Sequence, residues 1–453
     1  MSTLATYTSL ATYFLGPLAF FIIVHRLTSH PLNKFPGPAV ARVTDGYAGY
    51  HAARRQLHLA TYRDHERYGP VVRQGPDRLV FNTLTALHDI YLNQRVTKSK
   101  IYLQSLLSTP TPSMFNALDR AVHSHKRSYR ISLYMAWPTI RLIDPVFRWI
   151  GRKKSPKWYV LRSMIGQRMS MPRDAAYDLY AVASGDITPS GDRGLQGTEL
   201  WSEASFFVMA GGTTVATLMS AIFFYLSRHA DVYTRLADEI RTTFSSGQAI
   251  KGGSQLSSCK YLRAVIDETM RVSPPTTATP WREEDIYSAA PAPSDGSPFL
   301  VDGHAIPRGT AVGVSLYSLM HNAAYFPEPF AFRPERWLDS DDGGCDGAFD
   351  GATRATMRRA LAPFALGDRG CAGKAMAYLE ASLVVAKTLW YFDFRTAEGP
   401  AGRVGGGTPG RDWRDRVDEY QLYDIFTADH DGPNLAFRPR AGVKSELASE
   451  SVV

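Results

Sequence analysis

The stretch FALGDRGCAGKAMAYLE, residues 364–380, determines how the rest of this chain is interpreted. Gly367 and Gly373 allow the backbone to approach a flat ligand closely. The residues that follow, KAMAYLEASLVVAKTLW, have the pattern of an amphipathic helix. Cys371 therefore lies just before a helix N-terminus, where the helix dipole and free N–H groups favour the metal-binding thiolate. A lone cysteine is more often a packing residue. Only the spacing of Cys371 from its neighbouring residues can therefore indicate a role as a metal ligand.

Composition excludes several classes of protein. The chain has 453 residues, 44% of them hydrophobic and 21% charged, which is typical of a large globular protein. Its three cysteines cannot build a disulfide framework, and no Cys/His zinc spacing occurs, which indicates a reducing compartment. The formal charge of +8 is spread along the chain without a nucleic-acid module. We therefore expect no nucleic acid partner, while an anionic membrane or an acidic protein partner stays open.

The N-terminus predicts a membrane anchor. Residues 1–24 carry no charge and are long enough to cross a bilayer core, which needs about 20 residues. A cleaved signal peptide is the alternative, but no basic segment precedes the apolar run and no small-residue cleavage site follows it. Arg26 and Lys34 come next, so the positive-inside rule places the body in the cytosol. Residues 25–38, which contain HPLNKFPGP, form a proline-rich connector to the body, residues 39–453.

Local patterns in the body predict both helices and strands. Residues 57–68 repeat apolar positions at helical spacing, Gly69-Pro70 ends that helix, and VVR, GPDR and LVF predict a β-hairpin. Residues 206–226 carry no charge and could form a second membrane span. The AGGTT sequence in their middle favours a long core helix that is locally loosened beside a ligand.

The spacing Phe364-x-x-Gly367-x-Arg369-x-Cys371-x-Gly373 resembles, residue for residue, the haem-binding signature of the cytochrome P-450 family. The resemblance implies a mainly α cytochrome P-450 fold with a minor β portion. It implies that Cys371 is the axial ligand of the haem iron and that Arg369 pairs with a haem propionate. Phe364, Gly367 and Gly373 would shape the cofactor-binding loop around the thiolate.

Two further motifs of the family lie earlier in the chain, in the expected order. Glu268 and Arg271 resemble its E-x-x-R motif, and Arg336 lies in FRPERW, which resembles its PER motif. The resemblance implies that these three side chains form a buried charge network that holds the haem side of the fold. Alone, an E-x-x-R sequence would be an ordinary ion pair on an exposed helix face.

Three more cations are implied to face the haem propionates. His123 and Arg127 lie one helical turn apart in MFNALDRAVHSHKRSYR, which resembles the propionate-facing segment of the family. Arg282 follows the double proline of SPPTTATPWRE, where the family has a propionate arginine. Without that context, such basic residues are more often surface features.

The oxygen-activating stretch departs from the family pattern. AGGTTV aligns Thr214 with the family's catalytic threonine, but Thr213 stands where the family commonly has an acid. General acid-base help is typically worth about 10²- to 10⁴-fold, so we expect slower proton delivery, delivery through water, or a reaction that does not need it. The alternative for Thr214 is a hydroxyl bonded back to its own helix.

The middle of the chain is a second departure. About eighty residues lie between Arg130 and Ala210, fewer than in typical full-length members, whose pocket roof occupies this interval. We therefore expect region 130–205 of the haem-thiolate catalytic domain, residues 39–453, to be shortened. A biological shortening, a faulty gene model and a non-catalytic descendant all fit this observation.

The resemblance predicts a haem-thiolate monooxygenase that oxidises a lipophilic small molecule, closest to membrane-bound fungal-type members of secondary metabolism. It implies O₂ as oxidant and electrons from NADPH through a reductase. It also implies a single-pass protein of the endoplasmic reticulum membrane with a cytosolic catalytic domain. Two alternatives stay open: a reductase-independent haem-thiolate isomerase or dehydratase, and a shortened, non-catalytic haem-binding or interaction protein.

Overall fold

The computed structural model describes residues 2–105, 136, 156–176, 178–184, 197–284, 297–339 and 349–443. Within these ranges the chain is mainly helical and has small β-sheets, which confirms the predicted mainly α fold with a minor β portion. The α-helices there are α1 (Ser2–Thr28), α2 (Ala39–Val43), α3 (Gly46–Ala53), α4 (Leu57–Tyr68), α5 (Leu84–Tyr91), α6 (Pro156–Ser170), α7 (Leu179–Ser184), α8 (Gly197–Leu226), α9 (Ala230–Thr243), α10 (Ser254–Ser257), α11 (Lys260–Val272), α12 (Leu316–Met320), α13 (Gly351–Ala360) and α14 (Lys374–Tyr391).

The strands form one larger sheet and three pairs. They are β1 (Val71–Gly75), β2 (Arg78–Phe81), β3 (Val96–Lys98), β4 (Arg282–Glu284), β5 (Leu300–Val301), β6 (His304–Ala305), β7 (Ala311–Val314), β8 (Phe392–Thr396), β9 (Leu422–Ile425), β10 (Thr427–His430) and β11 (Leu435–Pro439). The larger sheet has the order β1-β2-β7-β4-β3, and the pairs are β5-β6, β8-β11 and β9-β10. Among the described strands, β2 and β7 alone pair in parallel.

The predicted helix and hairpin near the start of the body are confirmed. Helix α4 covers the predicted residues, and Gly69 ends it in a left-handed conformation with φ 96°, which glycine adopts without strain. The hairpin pairs Val71 with Phe81, and every residue of β1 and β2 is buried. This unit therefore forms one wall of the core.

Helix α8 crosses the molecule and carries the AGGTT sequence. It is continuous through residues 210–214, so the expected local loosening is wrong. Two glycines cost about 1 kcal/mol each in a helix, which long flanking helical segments can outweigh. Among the described residues, α8 alone is long and apolar enough to cross a membrane by length and composition. Its C-terminal half is nevertheless buried by protein: Leu218, Ile222 and Phe224 are at most 2% exposed.

The N-terminal residues form helix α1, which extends four residues past the predicted anchor boundary. Its side chains Leu18, Phe20 and Phe21 are more than half exposed. Within α1, the stretch Gly16–Thr28 is an apolar segment shorter than a full span. The connector then packs on β1, where the N–H of Arg73 donates to the carbonyl of Pro36 at 2.7 Å.

Candidate active site

The loop before α14 is closed by backbone hydrogen bonds. The N–H of Cys371 donates to the carbonyl of Phe364, and the N–H of Gly370 donates to the carbonyl of Gly367, both at 2.9 Å. Gly373 caps α14, so Cys371 lies three residues before the first helical residue, Lys374. The cysteine is solvent-exposed, and the loop around it is therefore open to a ligand.

Gly367 and Tyr91 fix the position of this loop. Gly367 has φ +69°, and a Cβ atom there would overlap the carbonyl oxygen of Tyr91. The Tyr91 hydroxyl donates to the carbonyl of Pro280 at 2.8 Å, and its ring lies 5.0 Å from the guanidinium of Arg282. The end of α5 therefore links the cysteine loop to the start of β4.

A pair of cations lies where β3 and β4 meet. Lys98 and Arg282 are directly paired across the two antiparallel strands. Like charges in this position are destabilising by themselves. Arg282 is only 3% exposed, and its guanidinium donates to the carbonyl of Trp281 at 3.1 Å. The strand register therefore creates a site that favours an anion.

Arg369, from the cysteine loop, extends this group of cations. Burial, followed by the charges of Arg282 and Arg369, lowers the pKa of Lys98 to about 7, while Glu203 on α8 acts in the opposite direction. The structure thus places Lys98 near Arg282 and Arg369, the two residues that the sequence proposed for the propionates. No sequence motif singled out Lys98, because its role depends on strand pairing.

Helix α8 presents its small residues beside open space. A Cβ atom on Gly211 or Gly212 would meet nothing within 4 Å. The Thr214 hydroxyl donates to the carbonyl of Ala210 at 2.5 Å, which is the helix-bonded state considered as its alternative. Helix α8 also packs against α14, the helix that begins after Cys371.

The three residues of the two remaining motifs meet in the core. One carboxylate oxygen of Glu268 accepts from Arg271 at 2.8 Å and from Arg336 at 3.0 Å. The other accepts from Arg271 and from the indole of Trp337, each at 2.9 Å. Burial would raise the pKa of Glu268, but the two arginines outweigh it and hold the pKa below its ordinary value. Trp337 was not predicted, although it directly follows Arg336 in FRPERW.

The side chains of the described site residues suit haem. His123 and Arg127 lie outside the described residues. A haem held by thiolate takes a cysteine sulfur on iron, cations for its two carboxylates, and a backbone that it can approach closely. Cys371 would supply the sulfur, the cations around Arg282 would supply the charge, and the glycine loop would allow the approach.

Comparison with known proteins gives one consistent family. A family model described as Cytochrome P450 matches residues 100–402. The cytochrome P450 monooxygenase AKT7 of Alternaria alternata is 32% identical over 524 residues, covering 96% of this chain and 97% of that protein. The cytochrome P450 monooxygenase poxM of Penicillium oxalicum is 28% identical over 522 residues, 95% of this chain and 94% of that protein. Apf8 of Gibberella fujikuroi, also a cytochrome P450 monooxygenase, is 41% identical over 253 residues, 56% of this chain and 63% of that protein.

The alignments also show that this chain is the shorter partner. The alignment with AKT7 runs over 524 residues, whereas 96% of this chain is about 435 residues. About 90 aligned positions are therefore occupied only in the relative, and poxM gives nearly the same difference. The family model spans more than half of the chain, and a relative more than 30% identical matches almost its whole length. The chain belongs to the cytochrome P450 family, and its activity is that of a haem-thiolate monooxygenase.

Proposed function

We propose that Cys371 ligates the haem iron and that Arg369, Arg282 and Lys98 bind the haem propionates. The pairing of Lys98 with Arg282 across β3 and β4 is the observation that carries this proposal, because two cations so placed favour a carboxylate. Haem bound in this way activates O₂ for insertion of one oxygen atom into a substrate. His123 and Arg127 are proposed as further propionate partners.

The rest of the cysteine loop holds the sulfur in place. Phe364 packs on Tyr378 with ring centroids 5.3 Å apart, and its carbonyl accepts the N–H of Cys371. Gly373 leaves the approach to the thiolate free of side-chain atoms, and Gly367 allows the loop to lie against α5. Glu268, Arg271 and Arg336 support this loop from the core and take no part in the chemistry.

Thr214 is the proposed catalytic residue. Its hydroxyl donates its hydrogen to the carbonyl oxygen of Ala210, so the hydroxyl oxygen can still accept a hydrogen bond from a water molecule beside the open side of α8. Thr213 offers a hydroxyl and no carboxylate, so we propose that protons reach the site through water held by Thr214. A reaction that does not need this proton, such as an isomerisation or dehydration, is the second candidate function.

Electrons would come from NADPH through a reductase that docks on the outer face of α14. Met376 and Leu379 are exposed on this helix, about half of each side chain, and Leu383 lies beside Lys251 in a shallow groove. The surplus of basic residues suits an acidic partner. The helix that carries this face begins three residues after Cys371, the proposed iron ligand.

The anchor, the location and the substrate are also proposals. We infer that residues 1–24 cross the endoplasmic reticulum membrane once, that residues 25–38 connect it to the body, and that residues 39–453 are the cytosolic catalytic domain. We place the residues missing relative to AKT7 within 130–205. A membrane-held site suits a lipophilic small molecule of secondary metabolism.

The test begins with the carbon monoxide difference spectrum of the reduced full-length protein. A strongly red-shifted Soret band, lost in Cys371→Ser, is the expected result, with haem content measured in both proteins. An unshifted band, or the same band in the variant, would contradict thiolate ligation by Cys371. Substrate conversion with and without NADPH then separates the two candidate functions, since an isomerase or dehydratase would turn over without it.

A further inference from the structure

A tyrosine, an aspartate and an arginine form a hydrogen-bonded group beside the cysteine loop. The Tyr378 hydroxyl, on α14, donates to one carboxylate oxygen of Asp267, on α11, at 2.6 Å. The Arg263 guanidinium donates to the other oxygen at 2.9 Å and lies 3.7 Å from the centre of the Tyr378 ring. Asp267 is 8% exposed, so these two donors replace most of the water that a free carboxylate would bind. The group therefore joins α11 to the helix that follows Cys371.

The electrostatics of the group favour a strong bond from the phenol to the carboxylate. Burial raises the pKa of Tyr378, and the adjacent Asp267 charge raises it further, so the phenol keeps its proton. Burial also raises the pKa of Asp267, while Arg263 and the phenol favour its charged form. Hydrogen bonds from a hydroxyl to a carboxylate are short and strong, and 2.6 Å is typical of them. The orientation of the Tyr378 ring is thereby fixed.

The fixed ring packs on Phe364. The centroids of the Tyr378 and Phe364 rings are 5.3 Å apart. Lys374, one helical turn before Tyr378 on α14, places its ammonium 5.8 Å from the centre of the Phe364 ring. The carbonyl of Phe364 accepts the N–H of Cys371 at 2.9 Å. A continuous series of contacts therefore connects the carboxylate of Asp267 with the backbone of Cys371.

We propose that Tyr378, held by Asp267, is a positioning residue that keeps the Cys371 sulfur in place to ligate iron. The inference rests on the proposed ligation by Cys371. Because that cysteine is exposed in a loop, its orientation depends on the neighbours that support it. Without the bond to Asp267 the Tyr378 ring can turn, and Phe364, whose carbonyl holds the N–H of Cys371, loses its support. Thiolate ligation is then lost more readily, although Tyr378 touches neither the metal nor the substrate.

An ordinary contact between packed elements is the competing explanation, and the fold contains a matched group for comparison. The Tyr233 hydroxyl, on α9, donates to a carboxylate oxygen of Asp393 at 3.1 Å, and Arg241 donates to the same oxygen at 2.6 Å. The ring of Phe394 packs on the Tyr233 ring, with centroids 5.1 Å apart. This group has the same four residue types, but its described contacts are with β8 and not with residues 364–373.

The test compares Tyr378→Phe with Tyr233→Phe in the full-length, haem-loaded protein. Both variants keep the aromatic ring and lose one phenolic hydrogen bond, so both should lower the urea midpoint of unfolding. Only Tyr378→Phe should also change the carbon monoxide difference spectrum of the reduced protein. There the ratio of the red-shifted to the unshifted Soret band should fall about tenfold. A wild-type ratio in Tyr378→Phe, or an equal fall in Tyr233→Phe, would overturn the positioning role.

Asp267 provides a conservative pair of variants for the same measurement. Asp267→Asn keeps an oxygen that accepts from the Tyr378 hydroxyl, whereas Asp267→Leu removes it. We expect the band ratio of Asp267→Asn to stay near that of the wild type and the ratio of Asp267→Leu to fall as in Tyr378→Phe. An equal fall in both Asp267 variants would assign the effect to the charge of Asp267, and the proposed role of the phenol would be wrong.

Failure of the proposed ligation gives a different result. A red-shifted band that is absent from the wild type, or that persists in Cys371→Ser, would overturn ligation by Cys371 and this inference with it. Loss of the band in Cys371→Ser together with a wild-type ratio in Tyr378→Phe would overturn the positioning role alone. Loss of the band in Cys371→Ser together with a lowered ratio in Tyr378→Phe, but not in Tyr233→Phe, would support both.

Discussion

The backbone of Gly367 lies directly against the carbonyl oxygen of Tyr91, with no room between them for a side chain. Gly367 also has φ +69°, a conformation that residues with a Cβ atom rarely adopt. Since Tyr91 also contacts Arg282, the contact ties the cysteine loop to a proposed propionate residue. The position of Cys371 therefore depends on a glycine four residues before it.

Gly367→Ala should consequently displace the loop and sharply reduce haem incorporation. Gly351→Ala is the matched control, because Gly351 begins α13 outside the cysteine loop and a Cβ atom there would meet nothing within 4 Å. The measurement is haem content per protein with the carbon monoxide spectrum. Full haem content in Gly367→Ala would show that the loop tolerates the displacement.

Replacing Lys98 by a neutral residue should stabilise the haem-free protein but weaken haem binding. Its pKa is lowered to about 7 in the fold, so between that value and its ordinary pKa the unfolded chain binds more protons. Its unfavourable contribution to stability is fully present below pH 7 and is relieved as pH rises above it. Lys98→Met should therefore stabilise the haem-free protein at pH 6 more than at pH 9, as measured by urea denaturation at both values.

The same substitution should weaken haem binding, because it removes a cation from the proposed propionate site. Lys98→Arg is the matched variant, since it keeps the charge and should retain most of the affinity. Haem transfer to apomyoglobin gives the dissociation rate for each protein. Equal rates for wild type and Lys98→Met would remove Lys98 from the cofactor site.

The sequence predicted the elements that depend on local pattern. It also predicted the motif residues, because several motifs of one family occur together in the chain. Helix α4 and the β1-β2 hairpin follow from periodicity and turn residues, and the structure contains both. Lys98 could not be found in this way because its partner, Arg282, lies far along the chain and only the register of β3 and β4 joins them. The sequence does show Trp337, an indole donor, directly after the motif arginine. Its role could not be predicted because its buried acceptor, the Glu268 carboxylate, is known only from the structure.

Glu268 should dominate the stability of the core charge network. Glu268→Gln leaves two buried arginines without a counter-charge, and breaking such a network costs about 3–5 kcal/mol. Trp337→Phe removes one hydrogen bond to the carboxylate and should cost less, about 1.5–3 kcal/mol. Glu398→Gln, which breaks an exposed ion pair with Arg395, should cost at most about 1 kcal/mol. Urea denaturation gives the three values, and a reversed order of the first two would contradict the role of the charges.

The same carboxylate sets a pH dependence. Because the pKa of Glu268 is lowered in the fold, its stabilising contribution is present above the ordinary glutamate pKa and is lost as pH falls through the folded value. The acid branch of the stability profile should therefore be steeper in wild type than in Glu268→Gln. Parallel acid branches would mean that other carboxylates control acid unfolding.

Thr213 and Thr214 offer the sharpest test of the altered proton supply. Thr213→Asp restores an acid at the position where the family commonly has one, so coupling of NADPH consumption to product should rise and hydrogen peroxide release should fall. Thr214→Val should have the opposite effect, whereas Thr214→Ser keeps the hydroxyl and should resemble wild type. The readout is the ratio of hydrogen peroxide to NADPH consumed, measured across pH with a reductase. If Thr214→Val and Thr214→Ser release equal peroxide, the Thr214 hydroxyl holds no water for proton delivery, and the reaction proceeds without its help.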